Sequence, residues 1–254
     1  MKSFPVAIAA LLTLALSGAE SFLTLSDATG GAPTGFFMQA AITLSVTGHL
    51  NLSMSRKVPS EALPMLERGE VDAVLIDRRF VKNQPYIPLA ADALVLYISN
   101  ANPAVNLTGE QVLEILTARR PNWKSYINID FDIQRIAPPG NSENLIRRVF
   151  GDIEIDREIF QVDSSSAGFA FINTASIFFS RFSPVIPAEV KALNIDGIMP
   201  TSKTVSNGSY PLAIVYVLAY KELSPKLQAL IYTLKQNQFR RLINDCGLLV
   251  ILEE

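Results

Sequence analysis

Short apolar segments alternate with amphipathic ones through the first third of the chain. Strand formers are concentrated at residues 22–25, 50–54 and 71–76, and these runs predict three buried strands. Apolar residues at helical spacing between 37 and 44 predict a helix after the first strand, and residues 59–66 predict a second helix. A βαβαβ order of this kind is typical of an α/β lobe with a largely parallel sheet.

A strand, a turn and a capped helix are predicted between residues 86 and 123. Residues 93–98 form an apolar run suited to a buried strand, and the residues up to Pro103 break it. Thr108 is a good N-cap, and Gln111 stands three residues later, as a capping box requires. The apolar residues that follow give the helix its buried face.

The second half continues as a mixed α/β pattern. Strands are predicted at 129–137 and 213–220, and residues 190–195 precede a turn signal at Asp196-Gly197. A helix is predicted from Asn141 to Phe150, and the tail at 225–246 reads as amphipathic helix.

Residues 89–94, 102–103, 107–112 and 122–123 carry a resemblance to a known family. Their order is similar to the hinge-crossing segment of phosphate-type substrate-binding proteins of ABC importers. That segment has an Ala-Leu-Asp-Ala-Leu-Ala strand, then Asn-Pro, Leu-Thr-x-x-Gln-Leu and Asn-Trp. Residues 190–201 and 208–212 resemble two further segments of the same family, "Val-Lys-Ala-Leu-x-Ile-Asp-Gly-x-x-Pro-Thr" and "Gly-x-Tyr-Pro-Leu".

The resemblance extends over the chain from about residue 71 onward. The family's Gly-Tyr-Val segment looks like Gly168-Phe169-Ala170 here. The resemblance implies an α/β, two-lobed periplasmic-binding-protein-like fold with a hinge between the lobes. Lobe one is expected at 20–98 plus 211–254 and lobe two at 99–210, because the strand at 213–220 must rejoin the first sheet.

The function that the resemblance implies is the binding of a small oxyanion such as phosphate for ABC-type import. The expected partners are that oxyanion and the permease of an ABC transporter. We expect a monomer with no cofactor, no metal and no enzymatic activity. In this family the anion sits between the lobes, on backbone N–H groups at helix N-termini, on hydroxyls and often on an arginine.

Two candidate ligand loops lie in the first lobe. Thr29 and Gly30 follow the first strand, where the family has a Gly-Ser-Thr type of loop; an ordinary βα loop is the alternative. Asp77 and Arg78 end the third strand, where the family has Ser-Ser-Arg or a variant with aspartate. Arg78 could pair with an anion, and Asp77 could accept the proton of hydrogen phosphate and repel sulfate. The alternative is a surface salt bridge.

The third candidate loop departs from the family pattern of an arginine, two residues and Asn/Gly-Ser-Gly-Thr. Ser142 and Asn144 are the candidate ligands, but the arginine position falls on Pro138 and a carboxylate stands at Glu143. Ser142 could instead be a helix N-cap. Ser166 is a fourth candidate, and a turn hydrogen bond is its alternative.

The N-terminus predicts export. Lys2 precedes an almost wholly apolar stretch at 4–16, and small residues at 17–19 suit a cleavage site, so residues 1–19 are expected to be a signal peptide. The apolar stretch is shorter than the ~20 residues that a membrane span needs. The mature protein is expected in the periplasm or the medium.

The net charge and the numbers of histidines and cysteines exclude several classes of function. A net charge of -2 gives no basic field for nucleic acid. His49 and Cys246 are the only histidine and cysteine, which rules out a zinc motif and an internal disulfide. An exported hydrolase is one alternative function, but the chain has no Gly-x-Ser-x-Gly elbow. A divergent scaffold or sensor that does not bind phosphate is the other alternative, because of the altered third loop.

Overall fold

The computed structural model describes residues 22–29, 51–138, 141–156, 158–245 and 247–251. The chain divides into two compact units. Unit 1 runs to Ala90 and resumes at Tyr216, and unit 2 comprises Ala91–Val215. The sequence-based lobes, divided at 98/99 and 210/211, stay a prediction.

Unit 1 is built on a mixed sheet with the strand order β2-β1-β3-β11. β1 pairs in parallel with β2 and β3, and β11 is antiparallel to β3. Leu23, Leu25 and Ile76 are buried in this sheet, and Leu227 and Phe239 are buried in the helices that follow it. The strands of the unit are β1 (Phe22–Asp27), β2 (Asn51–Arg56), β3 (Ala73–Asp77), the first part of β4 (Tyr86–Ser99), the last part of β11 (Ala213–Tyr220) and β12 (Leu249–Val250).

The helices of unit 1 follow local sequence rules. α1 (Pro59–Arg68) has proline in its first turn, and Gly69 closes it with a positive φ of 76° and an N–H that reaches the last carbonyls. A 3-10 turn, Arg78–Phe80, follows β3 directly. The predicted C-terminal helix is two helices, α7 (Pro225–Leu234) and α8 (Asn237–Asp245).

The sheet strands of unit 2 have the order β4-β8-β6-β7. β6 is parallel to both β7 and β8, whereas β8 and β9 are antiparallel to β4. A separate parallel pair is formed by β5 and β10. The strands are the remainder of β4 and of β11, β5 (Asn106–Leu107), β6 (Gln134–Ala137), β7 (Phe160–Gln161), β8 (Ser176–Arg181), β9 (Val190–Ala192) and β10 (Asn194–Ile195).

The described residues of unit 2 include five helices. The capping box predicted for α2 is present: Thr108 Oγ1 accepts from the N–H of Gln111 at 3.1 Å, and the Gln111 side chain accepts from the N–H of Thr108 at 2.8 Å. Trp123 precedes α3 and is fully buried, with its indole N–H donating to the carbonyl of Ala175 at 3.0 Å. The helices are α2 (Gly109–Thr117), α3 (Lys124–Ile127), α4 (Asn141–Phe150), α5 (Ser165–Ala170) and α6 (Ser202–Ser206).

One predicted strand is longer than the strand in the structure, and the structure assigns two segments that the sequence left open. The strand predicted at 129–137 is strand only at Gln134–Ala137, because residues 129–133 form the return from α3 and bond back to it: Phe131 accepts from the N–H of Trp123. Residues 190–195, which precede the predicted turn at Asp196-Gly197, form β9 and β10, and these pair with different strands. The segment Gly168-Phe169-Ala170 lies in α5.

Some predictions lie outside the described residues: the signal peptide, Gly30, the helix between 37 and 44, His49 and Cys246. Within the described ranges, no helix is long and apolar enough to cross a bilayer. In the same part of the chain, no group of three or more acidic, histidine or cysteine side chains is arranged to hold a metal ion.

Candidate functional site

The carboxyl ends of β1 and β3 meet at one edge of the unit 1 sheet. Asp27 pairs with Leu75, and the N–H of Ala28 donates to the carbonyl of Leu75 at 2.8 Å. Continued by two residues, this register places Thr29 opposite Asp77. The carboxyl edge of such a sheet is where ligands of α/β proteins bind. Two of the predicted ligand residues are therefore brought together at a suitable edge.

Thr29 is already engaged by a neighbouring carboxylate. Its hydroxyl donates to Oδ1 of Asp27 at 2.6 Å, and its backbone N–H donates to the same oxygen at 2.9 Å. Both side chains are buried. The single hydroxyl proton of Thr29 is thus directed at Asp27, so a ligand at this edge would meet a lone pair unless the hydroxyl rotates.

Asp77 and Arg78 have different surroundings although they are adjacent. Asp77 is buried and caps the 3-10 turn by accepting from the N–H of Arg79 at 2.9 Å and from its Nε at 2.8 Å. The Arg78 side chain is exposed, and its guanidinium lies 5.8 Å from the centre of the Tyr86 ring. Asp77 is therefore fixed by Arg79, while Arg78 presents a cation stacked on an aromatic ring.

In unit 2, the carboxyl ends of three parallel strands lie along one edge. Ala137 pairs with Gln161, and Ile136 pairs with Phe178. α4 begins shortly after β6, and α5 begins shortly after β7. Ser142 and Asn144 stand in the first turn of α4, and Ser166 in the first turn of α5. The three predicted residues of this unit thus share one sheet edge.

The exposure and hydrogen bonds at this edge bear on Ser142, Asn144 and Ser166 as candidate ligands. Asn144 and Ser166 are exposed, and the side chain of Ser142 lies outside the described part. Ser164, two residues before Ser166, is the N-cap of α5 and accepts from the N–H of Ala167 at 3.1 Å. Glu143 pairs with Arg147 at 3.0 Å, so its charge is partly neutralised within the helix.

Arg135 has a structural role. It is buried, its Nη1 donates to the carbonyls of Ile115 and Ala118 at 3.0 and 2.7 Å, and its Nη2 pairs with Asp156 at 3.0 Å. A cation there satisfies the last carbonyls of α2 and complements the helix dipole. Arg135 therefore does not substitute for an arginine at position 138.

Sequence reasoning missed an ion pair at the same edge, between Asp92 of β4 and Arg181 at the end of β8. Asp92 is buried; its Oδ1 accepts from the N–H of Ala93 at 2.9 Å, and its Oδ2 lies 3.3 Å from Nη2 of Arg181. Burial raises the pKa of the Asp92 carboxyl to about 6, against the opposing influence of Arg181 and Arg148. The signal available in the sequence was an aspartate inside an otherwise apolar strand.

The backbone that carries Arg181 is held by an aromatic hydroxyl. Tyr97 donates to the carbonyl of Arg181 at 3.1 Å and accepts from the N–H of Ser183 at 2.8 Å. Burial raises the pKa of Tyr97 to about 12, so the hydroxyl keeps its proton. On the preceding residue, Ser180 exchanges a hydrogen bond of 3.1 Å with Ser165 of α5. This end of β8 is therefore fixed from two sides.

Comparison with known proteins gives one family and several similar folds. A family model described as "PBP superfamily domain" matches residues 24–235. No curated protein sequence matches the chain.

Three solved structures illustrate the likeness. An ABC-type phosphate transport receptor from Vibrio cholerae is 20% identical, with a TM-score of 0.59 over 91% of this chain and 100% of that one. PstS from Borrelia burgdorferi is 14% identical, with a TM-score of 0.70 over 91% and 99%. A protein from Planctomyces limnophilus, described as a possible phosphate binding protein, is 13% identical, with a TM-score of 0.71 over 92% and 94%. At these identities the likeness shows the fold, and the fold class predicted from the sequence is confirmed.

Proposed function

Because the chain belongs to the PBP superfamily, we propose that it is an exported solute-binding protein for phosphate or a related small oxyanion, serving ABC-type import. The observation that carries the proposal is the likeness in fold, over nine-tenths of the chain, to a phosphate transport receptor and to PstS. On this proposal the protein binds and releases its solute and catalyses no reaction.

The edge of unit 1 supports the choice of a protonated oxyanion. Asp77 and Asp27 are carboxylates that can accept a proton from hydrogen phosphate, whereas fully ionised sulfate has none to donate. Arg78, exposed beside Asp77, offers a planar pair of donors to the remaining oxygens. Thr29 contributes its hydroxyl once that group turns from Asp27 to the ligand.

The proposal extends to place and partners. A binding protein that serves an importer works outside the cytoplasmic membrane, which agrees with the signal peptide expected at residues 1–19. Its partners are the oxyanion and the permease of an ABC transporter, and we propose that it acts as a monomer. No cofactor is needed for this work.

A scaffold or sensor without phosphate affinity is the second candidate function. Three features favour it: Pro138 stands where the resemblance expects an arginine, Glu143 stands in the adjoining helix turn, and the hydroxyl proton of Thr29 is directed at Asp27. A cavity of about 270 Å³ beside Pro138 is lined by the carboxylates of Glu143 and Asp156. That lining is unfavourable for an anion.

Thermal denaturation of the mature protein with phosphate, sulfate, molybdate and a phosphonate tests the proposal. A ligand that binds only the folded state, at roughly 100 times its Kd, stabilises it by about 2.7 kcal/mol. We expect phosphate to raise the melting temperature more than sulfate does. If none of the four anions changes the melting temperature, the scaffold function is correct.

Substitution of Arg78 tests the site. Arg78→Ala removes charge-assisted hydrogen bonds, and we expect it to weaken phosphate binding by about 1.5–3 kcal/mol. Arg68→Ala is the matched control, because Arg68 is an exposed arginine of the same unit that pairs with Glu70 at the end of α1. Equal phosphate affinity in wild type and Arg78→Ala would place the site elsewhere.

A further inference from the structure

The unit 1 edge places two buried carboxylates beside a neutral hydroxyl. Asp27 and Asp77 are both buried, and the hydroxyl of Thr29 donates to Asp27 at 2.6 Å. Arg79 pairs with Asp77. An anion that contacts Thr29 therefore comes close to the charge of Asp27, and like charges repel. A cation on the β1 side of this edge would offset that repulsion.

Arg56 ends β2, the strand that pairs with β1 on the side away from β3. The two strands are parallel, and Arg56 lies directly opposite Asp27. Residues paired in this way carry their side chains on the same face of the sheet, and so does Thr29, two residues beyond Asp27. Neighbouring strands lie about 4.8 Å apart and two residues advance a strand by about 6.6 Å, so the Cα atoms of Arg56 and Thr29 are about 8 Å apart. An arginine side chain and a bound tetrahedral oxyanion together span that distance.

Arg56 differs from the other cations that follow these strands. It is exposed, and its side chain forms no ion pair within the part of the chain that the structure describes. The next residue, Lys57, pairs with Glu61 of α1 at 3.5 Å. The guanidinium of Arg78 lies over the ring of Tyr86 in β4, and β3 and β11 separate that strand from β1. Arg56 is therefore the arginine that stands beside β1 and is available to a ligand there.

We propose that Arg56 is a ligand of the oxyanion at the carboxyl edge of unit 1, donating from the end of β2 to an anion that Thr29 contacts from the end of β1. This inference rests on the proposed function and names a ligand residue for it. A guanidinium at this position offsets the charge of Asp27 and directs two parallel N–H donors at two oxygens of one tetrahedral anion. An ammonium would supply the charge without the paired donors.

Titration calorimetry with inorganic phosphate tests the inference in four proteins: wild type, Arg56→Gln, Arg56→Lys and Lys57→Gln. Arg56→Gln removes the guanidinium, and we expect its phosphate affinity to fall at least about tenfold. Arg56→Lys keeps the charge but loses the planar fork, so we expect a smaller loss, of about threefold or more. Lys57→Gln is the matched control: it removes the same charge from the next residue, whose ammonium pairs with Glu61, and its affinity should stay within about twofold of wild type.

The outcomes separate this inference from the function on which it rests. If wild type binds no phosphate, the proposed function is wrong and the inference falls with it. If wild type binds phosphate and Arg56→Gln binds it equally well, the function stands and the inference alone is wrong. An equal loss in Arg56→Gln and Lys57→Gln would show a general effect of charge, which also overturns direct contact by Arg56. Melting temperatures without phosphate show whether each variant is folded; should Arg56→Gln not fold, Arg56→Lys decides, and wild-type affinity in that variant overturns the inference.

Discussion

Replacing Asp92 with asparagine should stabilise the folded protein at neutral pH and leave its stability unchanged in acid. Asparagine has nearly the shape of aspartate but carries no charge, so the substitution removes the free energy of ionising a buried carboxyl. The side chain is almost completely buried, and Oδ2 accepts no hydrogen bond from the residues that the structure describes; its ion-pair partner lies 3.3 Å away. Desolvation of the charged form therefore outweighs the attraction of Arg181.

The size of the effect follows from the pKa. Burial raises the pKa of Asp92 to about 6, whereas an unperturbed aspartate has a pKa of about 3.9. A difference of one in pKa corresponds to about 1.4 kcal/mol. Ionised Asp92 therefore lowers the free energy of unfolding by about 3 kcal/mol at pH 7 and above.

The direction with pH is fixed by proton linkage. Between about pH 4 and pH 6 the folded protein holds a proton at Asp92 that the unfolded chain has released, so the free energy of unfolding falls as the pH rises. Below that window both states are protonated and the contribution of Asp92 is fully regained. Asp92→Asn lacks this dependence, so the difference between variant and wild type grows from near zero at pH 4 to about 3 kcal/mol at pH 7.5.

Urea denaturation of wild type and Asp92→Asn at pH 4 and pH 7.5 measures this difference. Asp152→Asn is the control, because the Asp152 side chain is 99% exposed and its replacement should change stability by less than about 0.5 kcal/mol at both pH values. If Asp92→Asn is less stable than wild type at pH 7.5, the attraction of Arg181 exceeds the desolvation of Asp92 and the reasoning is refuted.

Two further substitutions test the packing of unit 2. Arg135→Met should lower the free energy of unfolding by about 3–5 kcal/mol, since it leaves Asp156 and two helix-end carbonyls without their buried cation. An unchanged urea midpoint would contradict the structural role of Arg135. Gly168→Ala should lower the free energy of unfolding by about 1–3 kcal/mol, because the added Cβ would lie 2.3 Å from the ring of the buried Phe178. Wild-type stability in this variant would show that the Phe178 ring moves freely.

Elements fixed by local chemistry were predictable from the sequence. The capping box of Thr108 and Gln111, the end of α1 at Gly69 and the β11 strand all follow from residues adjacent in the chain. The short strands were not predictable in this way. Phe160–Gln161 is a strand only because it pairs with β6, and a pattern of two residues carries no periodicity.

The loops of the candidate site were predictable from the sequence, but the partners of its charged side chains were not. Sequence order placed Thr29 and Asp77 after neighbouring strands, and register then brought them together. The pairing of Asp92 with Arg181 depends on the antiparallel register of β4 and β8, which no local pattern encodes. Arg135 likewise donates to the carbonyl of Ala118, at the end of a helix that is distant in sequence. Charge partners formed by tertiary register are therefore the part of this site that the structure alone supplies.

Titration of the mature wild-type protein with inorganic phosphate near neutral pH is the most direct measurement of oxyanion binding. We predict a saturable heat with one phosphate per chain, a matching rise in melting temperature, and weaker binding of sulfate because sulfate has no proton to give to Asp77. The absence of both heat and thermal stabilisation at millimolar phosphate would contradict the proposed function and establish the fold here as a scaffold without phosphate affinity.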